Sequence, residues 1–123
     1  MQKLSNKFIK LISEASRLSQ LKKFSEAMAI YERLLKQIPA NLDVLNNLGV
    51  IYANQGNLKL EIKLFEKSLL IKENQPLIFN NLININIDSQ NFDIALNLCN
   101  KSLKFDTKNS TIFFNKAKGF SFY

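Results

Sequence analysis

Three asparagines, Asn47, Asn81 and Asn115, stand at intervals of 34 residues. Each carboxamide offers one acceptor and two donors, which matches what an extended peptide backbone presents. A row of such groups can hold a chain by its backbone with little regard for its side chains. Other chemistry has few residues to work with. The sequence contains no histidine, one cysteine (Cys99) and ten scattered carboxylates. It has no nucleophile with an imidazole base, no Cys-x-x-Cys pair and no glycine-rich phosphate loop. A metal site would need a carboxylate cluster, and the spacing of the acids makes none. The expectation is a protein that binds and does not catalyse, with no cofactor and no metal.

The elements that carry these asparagines must fit in 123 residues, the size of one domain. Three glycines and two prolines leave little material for the turns of an all-β fold, so helices are expected. Asparagine (16) and lysine (15) together form a quarter of the chain, a bias that AT-rich codons produce without any functional demand. The formal net charge is +7, and residues 1–41 hold +5 of it, with eight basic and three acidic groups. Such a field favours anionic partners at low salt, and it also keeps a protein soluble. A lone cysteine forms no intramolecular disulfide, which suits a reducing compartment. Lys3, Lys7 and Lys10 interrupt the apolar residues of Met1–Ile12, so no leader-like apolar core is present. No apolar run is long enough to span a bilayer. A cytoplasmic location with no membrane association follows as the expectation.

Self-similarity organises the rest. With Phe8 as position 1, a step of 34 opens new units at Leu42, Pro76 and Ser110. The expected organisation is an N-terminal extension over 1–7, units over 8–41, 42–75 and 76–109, and an incomplete fourth unit over 110–123. The columns agree. Position 4 is Leu11, Leu45, Phe79 and Phe113; position 17 is Phe24, Leu58 and Phe92; position 24 is Tyr31, Phe65 and Cys99; position 28 is Leu35, Leu69 and Leu103. Within a unit, apolar residues recur at helical spacing in two stretches, such as Leu45, Leu48 and Tyr52, then Leu58, Ile62, Phe65 and Leu69. Gly56 lies in the break between them, where it supplies a helix-ending backbone. The corresponding breaks are 20–23 and 88–91. Pro39 follows one second helix, and Pro76 opens the third unit where a helix tolerates it. Each unit thus reads as two antiparallel helices, roughly 20 Å long.

These residues resemble the tetratricopeptide repeat (TPR) family. Its 34-residue unit favours Leu-Gly at 7 and 8, aromatics at 11 and 24, Ala at 20 and Pro at 32. Leu48-Gly49, Tyr52 and Phe65 match in the second unit, Ala15, Ala27, Tyr31 and Pro39 in the first, and Phe79, Leu82 and Ala95 in the third. The resemblance covers 8–109 and implies an all-α, right-handed solenoid of three helix-turn-helix repeats plus a terminal helix. Departures occur as well. Glu61 takes the alanine position 20 and is expected to snorkel outward or find a cation, splaying the second hairpin slightly. Asn86 replaces the aromatic at 11, and Glu14 and Lys116 replace leucine at 7.

What the resemblance implies about function concerns the concave groove lined by first helices. Position 6 faces it, which turns Asn47, Asn81 and Asn115 into a ladder along its floor. Asn46, Asn80 and Asn84 extend that amide-rich floor, and Ile12, Val50 and Phe114 add apolar spots. An extended, neutral protein segment is the partner implied. The ladder resembles that of the TPR arm in protein O-linked N-acetylglucosamine transferases. This gives an alternative, a substrate-recruiting module of a larger or associated peptide-modifying enzyme. TPR adaptors that grip acidic chaperone tails use a two-carboxylate clamp, and of its places only Asn47 matches here, against Ile12, Ser16, Leu77 and Asn81. That clamp is absent. A basic column at position 26, Arg33, Lys67 and Lys101, lacks the interleaved aromatics of a nucleic-acid surface and reads as a solvated outer face.

Cys99 and the aromatics Phe24, Phe65, Phe79 and Phe92 read as core. The last segment keeps three alternatives open. Ser110 can cap a helix whose Phe113 and Phe120 pack on the third unit, which leaves Phe122 and Tyr123 uncovered. They fold back, they mediate self-association, or the chain is a piece of a longer repeat protein.

Overall fold

The computed structural model describes residues 4–105, and every regular element among them is a helix. The order is α1 (Asn6–Gln20), α2 (Phe24–Gln37), α3 (Leu42–Asn54), α4 (Leu58–Ile71), α5 (Pro76–Asp88) and α6 (Phe92–Ser102). Asn115, Lys116, the expected terminal helix and the Phe122–Tyr123 end lie outside the described residues. The described residues form two compact units, divided between Ile71 and Lys72.

Local sequence explains where the helices start and stop. The Ser5 hydroxyl accepts from the Phe8 amide at 3.5 Å, and the Asn41 carboxamide accepts from the Val44 amide at 3.1 Å. Each satisfies an amide with no partner inside its helix. Asn57 does the same for the Leu60 amide at 3.3 Å, and Pro76 opens α5. The three intra-hairpin turns are copies of one another. The amides of Lys23, Asn57 and Asn91 donate to the carbonyls of Leu18, Tyr52 and Asn86 at 2.8, 2.9 and 2.7 Å. One residue earlier, the amides of Lys22, Gly56 and Gln90 donate to the carbonyls of Ser19, Ala53 and Ile87. This paired bonding is the Schellman helix stop, which places one residue in the left-handed region. Here that residue is Lys22 (φ 62°), Gly56 (φ 75°) and Gln90 (φ 62°). The two breaks without glycine therefore adopt the backbone that Gly56 adopts.

In the first unit α3 packs on all three other helices. Its Val44, Leu45, Leu48 and Ile51 are buried together with Leu18, Tyr31, Leu34 and Leu64. Fully buried Ala15 and Ala27 bring α1 and α2 close. The α3–α4 hairpin gains its close approach differently: a Cβ at Gly49 would lie 2.8 Å from the Phe65 ring. Glu61 departs from expectation. It is buried, only 8% exposed, and no cation pairs with it among the described residues. The carboxylate neither snorkels out to water nor meets a cation there. Burial raises the Glu61 pKa accordingly.

The second unit pairs α5 with α6. Phe79, Leu82, Ile83 and Ala95 are buried, and the Phe79 ring stacks on Phe105 with centroids 6.4 Å apart. Cys99 is fully buried, and burial pushes its thiol up to about 11, as befits an inert apolar residue. Asn86, in the aromatic column, is buried and donates from its amide to the Leu82 carbonyl at 2.8 Å. The deepest column at the end of the second helices is position 27, Leu34, Ser68 and Ser102, while Leu35, Leu69 and Leu103 at position 28 are half-buried. Sequence apolarity favours position 28, because two of the three residues at position 27 are serines.

Candidate functional site

Asn46, Asn47 and Val50 share α3 in the first unit. Asn47 is half-buried, and its amide has an internal partner. The Tyr31 side chain is fully buried, with its hydroxyl hydrogen-bonded by Asn47 of α3 and Ser16 of α1. Burial raises the Tyr31 pKa, and those two hydrogen bonds oppose the rise. The hydroxyl therefore ties three helices together at one point, α1, α2 and α3. A second tie runs from α3 to α2. The Tyr52 hydroxyl donates to the Glu32 carboxylate at 2.9 Å, and burial together with that carboxylate pushes Tyr52 up to about 12.

The Ser16–Tyr31–Asn47 junction fixes how the surface around it is built. Ile12 lies one helical turn before Ser16, and Val50 one turn after Asn47, so both border the junction. Val50 is 44% exposed, and Ile9, a further turn along α1, is 46% exposed. The result is a short two-helix face with exposed aliphatic groups beside half-buried amide and hydroxyl groups. Ile9 and Ser16 belong to this face, yet their types carry no binding signal in the sequence. The Tyr31 hydroxyl was equally hidden, since position 24 reads only as an aromatic packing column.

In the second unit the amides share α5. Asn81 is exposed and makes no hydrogen bond to a described residue, while Asn80 and Asn84 are half-buried and one turn apart. Asn46 is half-buried as well. The structure thus groups Asn46, Asn47 and Val50 on one helix and Asn80, Asn81 and Asn84 on another, and Asn115 lies outside the described residues. Among the described residues no group of three or more histidine, cysteine, aspartate or glutamate side chains could hold a metal ion. No helix among them is long and apolar enough to cross a membrane.

Comparison with known proteins fits this architecture. Residues 42–75 match the tetratricopeptide repeat family. No curated protein matches the chain in sequence. Among solved structures, the chain is similar to the type III secretion chaperone SycD of Yersinia enterocolitica in complex with a peptide of the translocator YopD. The TM-score is 0.82 at 13% identity, covering 94% of this chain and 95% of that one. It is also similar to the Sgt2 TPR domain from Aspergillus fumigatus, with TM-score 0.74, 18% identity and coverage of 93% and 78%. A third is YrrB, described as a TPR protein with an unusual peptide-binding site, with TM-score 0.77, 20% identity and coverage of 91% and 60%. These likenesses establish an all-α helical-repeat solenoid fold. A tetratricopeptide repeat is thus matched at the centre of the chain, and the likeness to TPR structures extends that fold over nearly its whole length.

Proposed function

We propose that the protein is a non-enzymatic interaction module that binds an extended, largely neutral protein segment along its first helices. The observation that carries this reading is the α1–α3 face. Exposed Ile9 and Val50 flank a junction of amide and hydroxyl groups, with the Asp43 carboxylate of α3 close enough to act on Tyr31. Exposed apolar groups beside amides suit a peptide whose backbone needs hydrogen bonds and whose side chains need small apolar seats. Asn81, with Asn80 and Asn84 beside it on α5, offers further donors and acceptors of the same type. That SycD was seen with a translocator peptide, and that YrrB is described by a peptide-binding site, supports the same use of the fold.

The test is affinity capture from native lysate followed by mass spectrometry. The intact protein is compared with a Val50→Ser, Asn81→Ala variant after circular dichroism shows both folded. Asn47 is left intact because its loss would also disturb Tyr31. The expected outcome is a captured protein that the variant loses, and a peptide scan of that partner then locates the bound segment. A partner retained in full by the variant would refute the groove reading.

A further inference from the structure

The first hairpin carries a second recess, on the other side of α1. It opens where α1 begins and α2 ends, and holds about 30 Å³, room for one side-chain tip. Leu11, Ile30 and Leu34 form its floor, with Lys7, Arg33 and Gln37 at the rim. At 3.6 residues per turn, Lys7 and Leu11 lie roughly opposite Ile9, Ser13 and Ser16 around α1, so this recess is separate from the face described above.

Its electrostatics select the occupant. Arg17, on the same helix, is committed to Glu14 at 2.7 Å, and Lys104 to Glu73 at 2.8 Å. Lys7 and Arg33 form no ion pair with a described residue and are exposed. They stand in the stretch 1–41, which holds +5 of the net +7. The chain's own residues 106–123 carry three lysines and one aspartate, and a second copy brings another +7, so neither complements this rim. No aromatic side chain lines the recess, so it offers no stacking platform for a nucleic-acid base. We propose that this recess docks an acidic segment of another protein, seating one aliphatic side chain on Leu11, Ile30 and Leu34 while carboxylates on either side meet Lys7 and Arg33.

The probe is a fluorescein-labelled polyglutamate peptide with one central leucine, titrated with the full chain by fluorescence anisotropy. The expected result is saturable binding that weakens about tenfold in a Lys7→Glu, Arg33→Glu variant. It weakens several-fold when the peptide's leucine becomes alanine, and as salt rises from roughly 50 to 300 mM. Asn81→Ala and Val50→Ala leave it unchanged. Both charge reversals lie on exposed positions, and circular dichroism checks their fold. Four results would overturn the proposal: no saturable binding, equal binding of a glutamine-for-glutamate peptide, binding indifferent to the reversals, or an oligothymidylate that displaces the peptide with the same residue dependence. Sedimentation showing a dimer that the reversals dissolve would assign the recess to a second copy and overturn it too.

Discussion

The hairpins α1–α2 and α3–α4 close by different means within one compact unit. In the first, two small residues, Ala15 and Ala27, face the contact, and both are fully buried. In the second, position 8 is Gly49, whose bare α-carbon lies against the Phe65 ring, and position 20 is Glu61. The first hairpin also buries a hydroxyl at Tyr31 and satisfies it from α1 and α3; the second has Phe65 in that column and needs no such partner. The two hairpins therefore place different atoms at equivalent positions of the repeat. One has only small apolar residues there, and the other desolvates a carboxylate.

The sharpest way to break this comparison is to add one methyl group to the second hairpin. Gly49→Ala places a Cβ at 2.8 Å from a ring carbon, and an aromatic ring held in the core cannot swing aside. Overpacking of this kind costs about 1–3 kcal/mol, set against a helix-propensity gain of about 1 kcal/mol. The expected outcome is a lower urea midpoint, with part of the loss recovered in a Gly49→Ala, Phe65→Leu double variant. A stabilised Gly49→Ala protein would mean that the hairpin has slack.

Glu61 tests the other half of the comparison. Burial raises its folded-state pKa above the ordinary 4.5, so the fold opposes ionisation. Below the unfolded pKa both states carry the proton and nothing is lost. As pH rises through the folded value, the unfolded state has already released its proton, and stability falls. Glu61→Gln, which stays neutral at every pH, is expected to stabilise the protein at pH 7 by removing the penalty for ionising a buried carboxylate. That advantage should shrink to nothing as pH is lowered toward 4, read from denaturant melts across the series. An advantage that does not change with pH would show that the carboxylate reaches water.

Much of this architecture was legible in the sequence, for a physical reason. Packing columns recur because each hairpin must present the same apolar faces to its neighbours, and Leu45, Leu48, Phe65 and Phe79 declare themselves by type. What escaped depends on contacts distant in the chain. Tyr31 and Asn47 are 16 residues apart on different helices, and nothing in either one's neighbourhood announces the bond. The column of Leu34, Ser68 and Ser102 escaped because a serine reads as surface until its hydroxyl finds a carbonyl, as Ser102 finds that of Cys99 at 2.9 Å. The amides were visible as candidates from their spacing, but their spacing could not show that Asn47 has an internal partner while Asn81 stands open to solvent.

That last difference predicts unequal costs for the same substitution. Asn47→Ala removes one of two hydrogen bonds to a buried hydroxyl and should cost about 1 kcal/mol. Asn81→Ala, on an exposed position of α5, should stay within about 0.5 kcal/mol. Both changes gain the same helix propensity, so the difference between their unfolding midpoints isolates the Tyr31 bond. Tyr31→Phe in the Asn47→Ala background should abolish that difference, since no hydroxyl then lacks a partner. Equal costs for the two asparagines would reduce Asn47 to a surface residue.

The smallest effect lies in the turns, where one backbone shape is carried by Lys22, Gly56 and Gln90. A side chain in the left-handed region costs about 1–2 kcal/mol from the clash of Cβ with the backbone, while glycine forfeits about 0.5–1 kcal/mol in chain entropy on folding. Nothing lies within 4 Å of a Cβ built at Gly56, so packing has no part in the balance there. Lys22→Gly should therefore stabilise the first hairpin by about 0.5 kcal/mol, and Gly56→Ala should destabilise the second by a similar amount. If Lys22→Gly instead lowers the urea midpoint, the unfolded-chain entropy of glycine outweighs the strain, and the first hairpin has its lysine because lysine is the better stop.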